Sequence, residues 1–411
     1  MTRNQPTTGD VQLVRRLNRD AILKLIMERG PISRTALARL THLTPATVFS
    51  ITEELVQQGL AKEHGIGPSE GGRRPMLFVF NPRAYAAIGL TIRSTQVTGV
   101  VVYLDGSTGL SVTRTYRLDA AAEVLPLVND AIGELMAGAP VPPDRLAGIG
   151  LAVPGLVDVE RGRVIESINW GWQDLPLRDR LAEQFSLPIC IEEDDSALAI
   201  GEGLFGAGRG ALNVVCVKVG RGLGAGLIID GALFRGPDNA AGEIEHILVD
   251  PEGPQCHCGN YGCLTKMASA SAITGQAIRQ IKQGARSALL DMVHGDLDQI
   301  TVGLIAEAAV AGDALAAQVM EQTGRYLGIG IATLVSLLNP DLVILGGGVI
   351  RAGAPLLEPI RRIVHLRAPT TAGQRVRIVP AELGTEAPAI GAAALVMIQN
   401  GLLPASLLKL S

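Results

Sequence analysis

The stretch LNVVCVKVGRGLGAGLIID, residues 212–230, sets the fold class of this 411-residue chain. Residues 212–219 are rich in valine, the turn GRGLGAG follows, and the apolar pattern resumes at residues 227–229. Short apolar runs rich in β-branched residues predict buried strands, and glycines at a turn let a backbone approach a ligand closely. We therefore expect a sheet-based α/β body with a small-molecule site near this turn.

The same pattern recurs on both sides of this stretch. Strands are predicted at residues 87–92, 97–104, 110–118, 146–153, 188–192, 341–345 and 376–380. Helices are predicted at residues 121–136, 177–185, 196–204, 301–338 and 387–398. Strands that alternate with helices predict a parallel or mixed sheet covered on both faces. Two such halves usually leave a cleft between them, where a small ligand binds.

Composition excludes several classes of protein. With 47% hydrophobic and 18% charged residues the chain is neither disordered nor a disulfide scaffold. Its first residues lack the apolar core of a targeting peptide, and its longest uncharged stretches are too short or too interrupted to span a membrane. Five cysteines, three of them in one short segment, favour a reducing cytoplasm and a metal site. We therefore expect a cytoplasmic protein.

The N-terminal segment differs in charge from the remainder. Residues 1–80 hold 11 Lys and Arg against 7 Asp and Glu, so this head carries +4 and the rest of the chain −8. Its sequence predicts a helix ending at Gly30, a second helix capped by Ser33, and a third at residues 45–58 capped by Thr44. A hairpin follows, with GIGPSEGGRRP at its tip. These elements predict a winged helix-turn-helix that binds duplex DNA.

Small polar residues at the start of the third helix can approach bases closely, and arginines at the wing can enter a minor groove or bind phosphates. The alternative is a helix pair that occurs by chance in a bundle, with solvated arginines at a turn. The candidate DNA-contacting residues are Ser33, Arg34, Thr44, Ala46, Thr47, Ser50, Arg73 and Arg74.

A cysteine cluster provides the most specific chemical pattern. His246, Cys256, Cys258 and Cys263 are spaced as H-x9-C-x-C-x4-C. Three thiolates and one imidazole are a ligand set that Zn²⁺ favours in closed structural sites. A disulfide is disfavoured by the close spacing and the reducing compartment, while free buried thiols and His257 as a rival ligand remain alternatives.

Carboxylates lie near both the predicted strand ends and the metal cluster. Asp194 follows a predicted strand, where it could accept a proton from a sugar hydroxyl during phosphoryl transfer. The alternative is that Glu193, Asp194 and Asp195 merely favour the positive N-terminus of the next helix. Glu243 and His246 are three residues apart, a spacing that places both on one face of a helix.

Six motifs in order give the chain a resemblance to the ROK family of repressors, open reading frames and sugar kinases. They are AVPGLVD, IEEDDSALAIGE, VGRGLGAGLIIDG, GEIEH, CHCGNYGCL and LGGGV. The resemblance is to the repressor branch, which responds to sugars such as xylose or N-acetylglucosamine. It implies a winged helix-turn-helix at residues 1–82 and an actin-like, ribonuclease-H-like and sugar-kinase-like α/β body of two lobes. Their expected bounds are 83–195, joined by the C-terminal helix 385–411, and 196–384 with the zinc loop.

The resemblance also implies site residues. Asp194 falls on the family's catalytic and sugar-binding aspartate, and Gly155, Glu243 and His246 match sugar-holding positions. Asn169 lies near another sugar-proximal stretch. Two departures lie at the same site, because Glu193 stands where the family usually has Asn, and Thr265 where it usually has Glu. The candidate effector-binding residues are Gly155, Asn169, Glu193, Asp194, Glu243, His246 and Thr265.

The stretches that serve ATP in the family's kinases differ more. Thr91 replaces the aspartate that serves Mg²⁺, while Arg93 and Ser94 replace glycines in the first hairpin. Arg221 replaces a threonine in the second. Loss of the carboxylate removes transition-state stabilisation, and bulk at the turn obstructs a phosphate. We therefore expect no kinase activity, with Asp194 as a vestigial catalytic residue.

The sequence thus predicts a sugar-responsive transcriptional repressor that binds operator DNA, contains structural zinc and forms a homodimer or tetramer. Its effector is expected to shift lobe closure and thereby the spacing of two heads. The main alternative is an active ATP-dependent sugar kinase that also binds DNA. A further alternative is a constitutive DNA-binding protein or activator with a vestigial cleft.

Overall fold

The computed structural model describes residues 11–67, 74–117, 124–167 and 170–410. It confirms the predicted class, a winged helix-turn-helix joined to a two-lobed α/β body. The predicted tip of the wing, with Arg73, and the candidate effector residue Asn169 lie outside the described residues.

The head consists of three helices and a small antiparallel sheet. Its elements are α1 (Val11–Arg29), β1 (Ile32–Ser33), α2 (Arg34–Thr41), α3 (Pro45–Gln57), β2 (Ala61–Ile66) and β3 (Met76–Phe80). The sheet has the order β1-β3-β2. Apolar side chains at helical spacing form its core, among them Ile22, Leu37, Ile51 and Phe78.

The first lobe is built on a five-stranded sheet. Its elements are β4 (Ala86–Arg93), β5 (Gln96–Tyr103), β6 (Thr108–Thr115), α4 (Val124–Ala137), β7 (Leu146–Val153), β8 (Leu156–Asp158), β9 (Arg163–Ser167), β10 (Trp172–Leu175), α5 (Leu177–Ala182), β11 (Ile189–Glu193) and α6 (Asp194–Phe205). The sheet order is β11-β7-β4-β5-β6, and β8, β9 and β10 form a separate antiparallel sheet.

The second lobe is built on a six-stranded sheet. Its elements are β12 (Val214–Val219), β13 (Leu223–Ile229), β14 (Ala232–Phe234), α7 (Leu264–Ala268), α8 (Ala270–Lys282), α9 (Leu289–Met292), α10 (Val302–Val310), α11 (Ala314–Leu338), β15 (Leu342–Gly346), α12 (Ala354–Arg367), α13 (Thr370–Arg375), β16 (Arg377–Pro380) and β17 (Lys409–Leu410). Helix α14 (Ala387–Gln399) follows β16 in the chain and packs on the first lobe. The sheet order is β16-β15-β12-β13-β14-β17.

The two sheets share one strand order. In each lobe three consecutive strands form an antiparallel meander, and two further strands run parallel to the first strand of that meander. The resulting order is β6-β5-β4-β7-β11 in the first lobe and β14-β13-β12-β15-β16 in the second. The parallel strands are nearly continuous apolar runs because both faces of the sheet are covered. Each lobe therefore presents the turn of its first hairpin toward the space between the lobes.

Helix α14 connects all three regions. It packs against β4 and β7 of the first lobe and against α6. Ala389, Ile390, Ala393 and Met397 belong to the same buried cluster as the core of the head. The joint between head and body also contains polar contacts, because Asp20 Oδ2 accepts a hydrogen bond from the backbone N–H of Ala405 at 3.1 Å.

The predicted helix at residues 301–338 is wrong in one respect. The chain breaks between α10 and α11, where Gly312 has a φ of 94° and the Asp313 side chain caps α11 by accepting from the Ala316 N–H at 2.8 Å. Within the described ranges no single helix is long and apolar enough to cross a membrane, although α10 and α11, bent by 115°, satisfy length and composition as a pair.

Candidate functional site

A cavity of about 490 Å³ lies between the two lobes. The first lobe lines it from the end of β4, the β7–β8 turn and the start of α6. The second lobe lines it from β12, the β12–β13 turn and the segment at residues 240–257. Its size is typical of small-molecule sites, roughly 300–1,000 Å³.

Two aspartates and a lysine form the centre of the cavity. Asp194 and Asp195 begin α6, and Lys218 Nζ on β12 lies 2.5 Å from Asp194 Oδ2 and 2.7 Å from Asp195 Oδ1. Burial raises the pKa of Asp194 to about 6, against the opposing effect of Lys218. The nearby carboxylates keep the pKa of Lys218 above its usual value, although burial alone would lower it. This arrangement offers carboxylate oxygens that accept from a ligand hydroxyl.

Glu193 serves the backbone of its own helix. Its side chain accepts from the N–H groups of Asp195 at 3.2 Å and Ser196 at 2.9 Å, which is the geometry of a helix N-cap. Burial, with Asp195 and Asp194 close by, raises its pKa well above the usual range. The alternative role of this acidic run, a favourable interaction with the N-terminus of the next helix, therefore applies to Glu193. Asp194 and Asp195 are instead paired with Lys218.

Other candidate effector residues surround this centre. Glu243 directly precedes the 3₁₀ turn Ile244–His246, and His246 ends it. Both residues line the cavity, as does Gly155. Burial and the nearby Glu245 raise the pKa of Glu243. Gly155 has a φ of 110°, and a Cβ there would lie 2.4 Å from the Glu166 carbonyl oxygen, so a side chain would block the turn. Thr265 is buried in α7 rather than along the cavity wall.

The four predicted metal ligands converge beside the cavity. The donor atoms of His246, Cys256, Cys258 and Cys263 all lie within 4.8 Å of one another. Cys258 Sγ is 3.7 Å from Cys263 Sγ, and Cys256 Sγ is 3.8 Å from His246 Nδ1. Four ligands about 2.3 Å from a central ion in a tetrahedron lie roughly 3.8 Å apart. The donor set therefore fits a tetrahedral metal ion.

The loop around this cluster has little regular structure. Single bridges join Leu248 to Cys263 and Gln255 to Tyr261. Gly262 has a φ of 60°, and a Cβ there would lie 1.5 Å from the Asp250 carbonyl oxygen. His246 Nε2 lies 3.2 Å from Glu245 Oε1, which would fix the ring when Nδ1 faces a metal. His257 Nδ1, the rival ligand, lies 3.6 Å from Cys256 Sγ.

The end of the cavity formed by the two hairpin turns carries arginines. Thr91 is 1% exposed, and its Oγ1 is without a hydrogen-bond partner among the described residues. Arg93 ends β4, and its guanidinium donates to Thr98 Oγ1 at 3.2 Å. Arg221 is exposed on the β12–β13 turn. The residues that departed from the kinase pattern in sequence therefore all line the cavity.

The DNA-binding candidates divide into two groups. Ser33 and Thr44 are helix caps, since they accept from the N–H groups of Ala36 and Thr47 at 3.2 Å each. The half-buried Arg34 side chain contacts other residues of the head: it donates to Thr52 Oγ1 at 2.7 Å, pairs with Glu53 and lies over two phenylalanine rings.

The second group faces solvent at the start of α3 and at the wing. Ala46 and Ser50 are exposed, Thr47 is half-buried, and Arg74 is exposed directly after the wing tip. An α-helix that projects its N-terminal residues in this way suits a major groove.

Sequence reasoning missed three groups in or near the site whose partners lie on other elements. Lys218 is the partner of both aspartates, Arg235 forms an ion pair of 2.6 Å with the buried Glu192, and Trp170 Nε1 donates to Tyr116 Oη at 3.0 Å. A lysine in the valine-rich strand at residues 214–219 was the one available indication, because a charge in a buried strand requires a partner.

Comparison with known proteins agrees with this geometry. The profile of the ROK family matches residues 87–399, and a winged helix-turn-helix DNA-binding profile matches residues 18–62. The chain is 33% identical over 393 residues to a xylose repressor of Caldicellulosiruptor bescii, covering 95% of this chain and 97% of that protein. It is 35% identical over 415 residues to an N-acetylglucosamine repressor of Escherichia coli O157:H7, covering 98% of each.

Solved structures agree as well. A ROK family transcriptional regulator, described as a homologue of the E. coli MLC protein, superposes with a TM-score of 0.82 at 30% identity, over 96% of this chain and 99% of that one. A ROK family glucokinase from Streptomyces griseus, in complex with glucose and AMPPNP, gives a TM-score of 0.66 at 34% identity. That match covers 75% of this chain and 98% of the glucokinase.

Proposed function

The chain belongs to the ROK family, and on that premise we propose that it is a sugar-responsive transcriptional repressor. One observation carries the proposal: α14 extends from the cavity to the head. Pro388 lines the cavity, while Ala389, Ile390, Ala393 and Met397 share a buried cluster with the head. Occupancy of the cavity and the position of the DNA-binding helices can therefore be coupled through one rigid element.

In this proposal α3 enters the major groove of an operator. Ala46, Thr47 and Ser50 face bases and phosphates, and Arg73 and Arg74 at the wing bind the adjacent groove. Ser33, Thr44 and Arg34 act indirectly, because their contacts lie within the head. Two heads of a homodimer would bind two half-sites.

The sugar would bind at the carboxylate end of the cavity. Asp194 and Glu243 accept from hydroxyls, and Gly155 leaves room for the ring. Binding that favours closure of the lobes would shift the population of conformations and change the spacing of the heads, so operator affinity falls.

The ion held by the cysteine cluster is proposed to be Zn²⁺ in a structural role. Three cysteines and a histidine at these separations match its preferred ligands, and such closed sites contribute to folding rather than to chemistry. Held there, His246 would keep a fixed orientation beside Glu243 at the sugar end.

The kinase alternative is supported by Asp194 in the cavity and by the glucokinase likeness. Against it, Asp194 is already paired with Lys218, and Thr91 and Arg93 occupy the hairpin that would serve Mg²⁺ and phosphate. We expect no ATP turnover with hexoses, pentoses or N-acetylated sugars. Robust turnover that is lost in Asp194→Asn would contradict the repressor proposal.

The DNA-binding part is tested with the full chain and duplexes selected from genomic DNA. Ser50→Glu places a negative charge on the exposed start of α3 and should abolish binding, measured by fluorescence anisotropy at fixed salt. Gln57→Glu adds the same charge at the other end of α3 and serves as the matched control.

The repressor proposal also requires release. Addition of the effector sugar should lower operator affinity of the unmodified chain at least tenfold. Equal binding by the Ser50→Glu variant, or operator affinity unchanged by every sugar tested, would contradict the proposal.

A further inference from the structure

An exposed aromatic ring lies on α3, and the proposed function does not use it. Phe49 is 52% exposed, on the helix that is proposed to enter the major groove. We propose that its ring contacts the C5-methyl group of a thymine in each half-site of the operator and thereby determines part of the recognised sequence. This inference rests on the proposed function, because it names a base that α3 recognises.

The ring lies on the outward face of α3. Val48 and Ile51 are buried in the core of the head, whereas Ala46, Phe49 and Ser50 are exposed. Residues three or four apart share one face of a helix, so Phe49 and Ser50 lie on the same face as Ala46. A recognition helix contacts bases with its N-terminal residues, and all three lie in the first half of α3. Phe49 has the largest side chain of the three and reaches farthest from the helix.

Contacts within the head hold this ring in place. Arg34 Cζ lies 4.4 Å from the centre of the Phe49 ring and 4.7 Å from the centre of the buried Phe78 ring. Arg34 Nε donates to Thr52 Oγ1 at 2.7 Å, and the Thr52 hydroxyl donates to the Phe49 carbonyl oxygen at 3.0 Å. Glu53 pairs with the same guanidinium. One face of the Phe49 ring is therefore covered by a cation that is itself fixed by three other residues.

The same contacts make Arg34 a positioning residue rather than a phosphate ligand. Its charge is paired with the Glu53 carboxylate, and its Nε is used by Thr52. A single exposed apolar side chain is common on a protein surface and needs no function. Phe49 differs because a cation fixes it on the face that is proposed to meet DNA. A ring that is already fixed loses little side-chain entropy when it binds.

Thymine offers the apolar group that suits this ring. Of the four bases, thymine alone presents a methyl group in the major groove, whereas the other groups there are donors and acceptors that a phenyl ring does not satisfy. Because Arg34 covers one face of the ring, Phe49 cannot stack between two bases, and its uncovered surface is the part that meets a base edge. The contact removes the methyl group and part of the ring from water. Loss of one such methyl should lower affinity about three- to tenfold.

The test compares thymine with uracil, which presents the same hydrogen-bonding groups in the major groove but lacks the methyl group. An operator duplex is first selected with the full-length, metal-replete chain, and each thymine is then replaced in turn by uracil. Fluorescence anisotropy at fixed salt should show one position in each half-site where uracil weakens binding about three- to tenfold. In Phe49→Ala this position should lose its preference for thymine, whereas the effects of uracil at all other positions remain.

Two further variants separate base contact from folding of the head. Leu17→Ala removes another exposed apolar side chain of the head, on α1, and should keep the thymine preference. Phe49→Leu retains an apolar group at the same place and should keep part of the preference that Phe49→Ala loses. The ratio of the two affinities is the readout, because a general loss of stability in the head weakens binding to both duplexes alike.

Three results would overturn the inference. If uracil weakens binding at no position, or does so equally in the unmodified chain and in Phe49→Ala, the ring does not contact a thymine methyl group, and the repressor proposal stands. If Phe49→Ala weakens every duplex alike without a change in preference, the ring contacts the DNA backbone or supports the head instead. Failure of the full chain to prefer any duplex sequence would contradict both this inference and the proposed function.

Discussion

The two lobes have the same strand order but differ in what is inserted into it. In the first lobe the insertion between β7 and β11 includes the β8–β10 sheet, closed by the Ser167 hydroxyl donating to the Pro154 carbonyl oxygen at 2.6 Å. In the second lobe the insertion between β14 and β15 begins with the loop that brings the metal ligands together. Backbone pairing maintains the first insertion, whereas at the start of the second the side chains of the candidate metal ligands converge.

This difference explains the asymmetry of the cavity. The β8–β10 sheet presents Glu166 and Ser167 from strands with a fixed register. Glu243, Glu245 and His246 come instead from a segment whose one regular element is a 3₁₀ turn. If the cysteine cluster binds the proposed metal, the second lobe's part of the site should depend on it, and the first lobe's part should not.

Removal of one exposed ligand is the strongest test of this difference. Cys258 is exposed, so Cys258→Ser would cost little if the thiol were unused. If it binds a metal, the variant should lose zinc, and the melting temperature of the second lobe should fall by roughly 5 °C or more. Metal analysis and scanning calorimetry measure both effects.

The matched control lies in the first lobe. Cys190 is on β11, away from the cluster, and Cys190→Ser should retain the zinc content of the unmodified chain. Equal zinc and equal melting in Cys258→Ser would show that the loop does not need the metal. The proposed difference between the lobes, in which the second-lobe insertion depends on a metal and the first does not, would then be wrong.

A smaller effect on the free energy of unfolding is expected from pH, through Asp194 at the point where the lobes meet. Burial places the pKa of Asp194 at about 6, above its ordinary value of 3.8 in the unfolded chain. The folded state therefore binds the proton more tightly, and the free energy of unfolding falls as pH rises from about 4 to about 6. The contribution of this one group is at most about 3 kcal/mol. Asp194→Asn should remove it from the measured pH profile of unfolding.

The other charged groups at this point are Glu193, Asp195, Glu243 and Lys218. The pKa values of Glu193 and Glu243 are also raised, so part of the slope should remain in Asp194→Asn. Asp291→Asn, an exposed carboxylate on α9, should keep the full profile. A profile unchanged by Asp194→Asn would mean that Lys218 keeps this carboxylate ionised across the whole range.

The smallest effect is expected in the first-lobe insertion. Arg163 Nε lies 2.8 Å from Asp174 Oδ1, and this pair joins β9 to the β10 end of the small sheet. Because the pair is solvent-exposed, Arg163→Gln should leave thermal unfolding and sugar binding unchanged. A loss of stability as large as that of Cys258→Ser would show that both insertions depend on single side-chain contacts.

Much of the fold could be predicted because local patterns agree with it. The strand at Leu146–Val153 matches its predicted bounds, and α3 differs from the prediction by one residue, since a threonine cap and a proline at the first position mark its start. The small sheet of β8, β9 and β10 was not predicted. Its strands are short and polar, and residues such as Glu166 alternate without a marked apolar face.

The candidate site was predictable where one motif carries several ligands. The cysteine cluster is compact in sequence, so its convergence follows from spacing. Lys218 was harder to predict, because its partners Asp194 and Asp195 lie on another element and only the fold brings them together. The role of Arg34 was obscured for the same reason, since its partners Thr52 and Phe49 are a helix away.

Helix α14 rests on the first-lobe sheet with no side chains in between. A Cβ on Gly89 would lie 2.0 Å from the Ala389 carbonyl oxygen, and a Cβ on Gly150 would lie 2.0 Å from that of Ala392. Two backbones in such direct contact have no room to slide, so we expect α14 and the first lobe to move as one rigid body. The second lobe is then the part that would move relative to this body when a ligand binds. A fluorescent reporter of ligand binding therefore belongs on the second lobe.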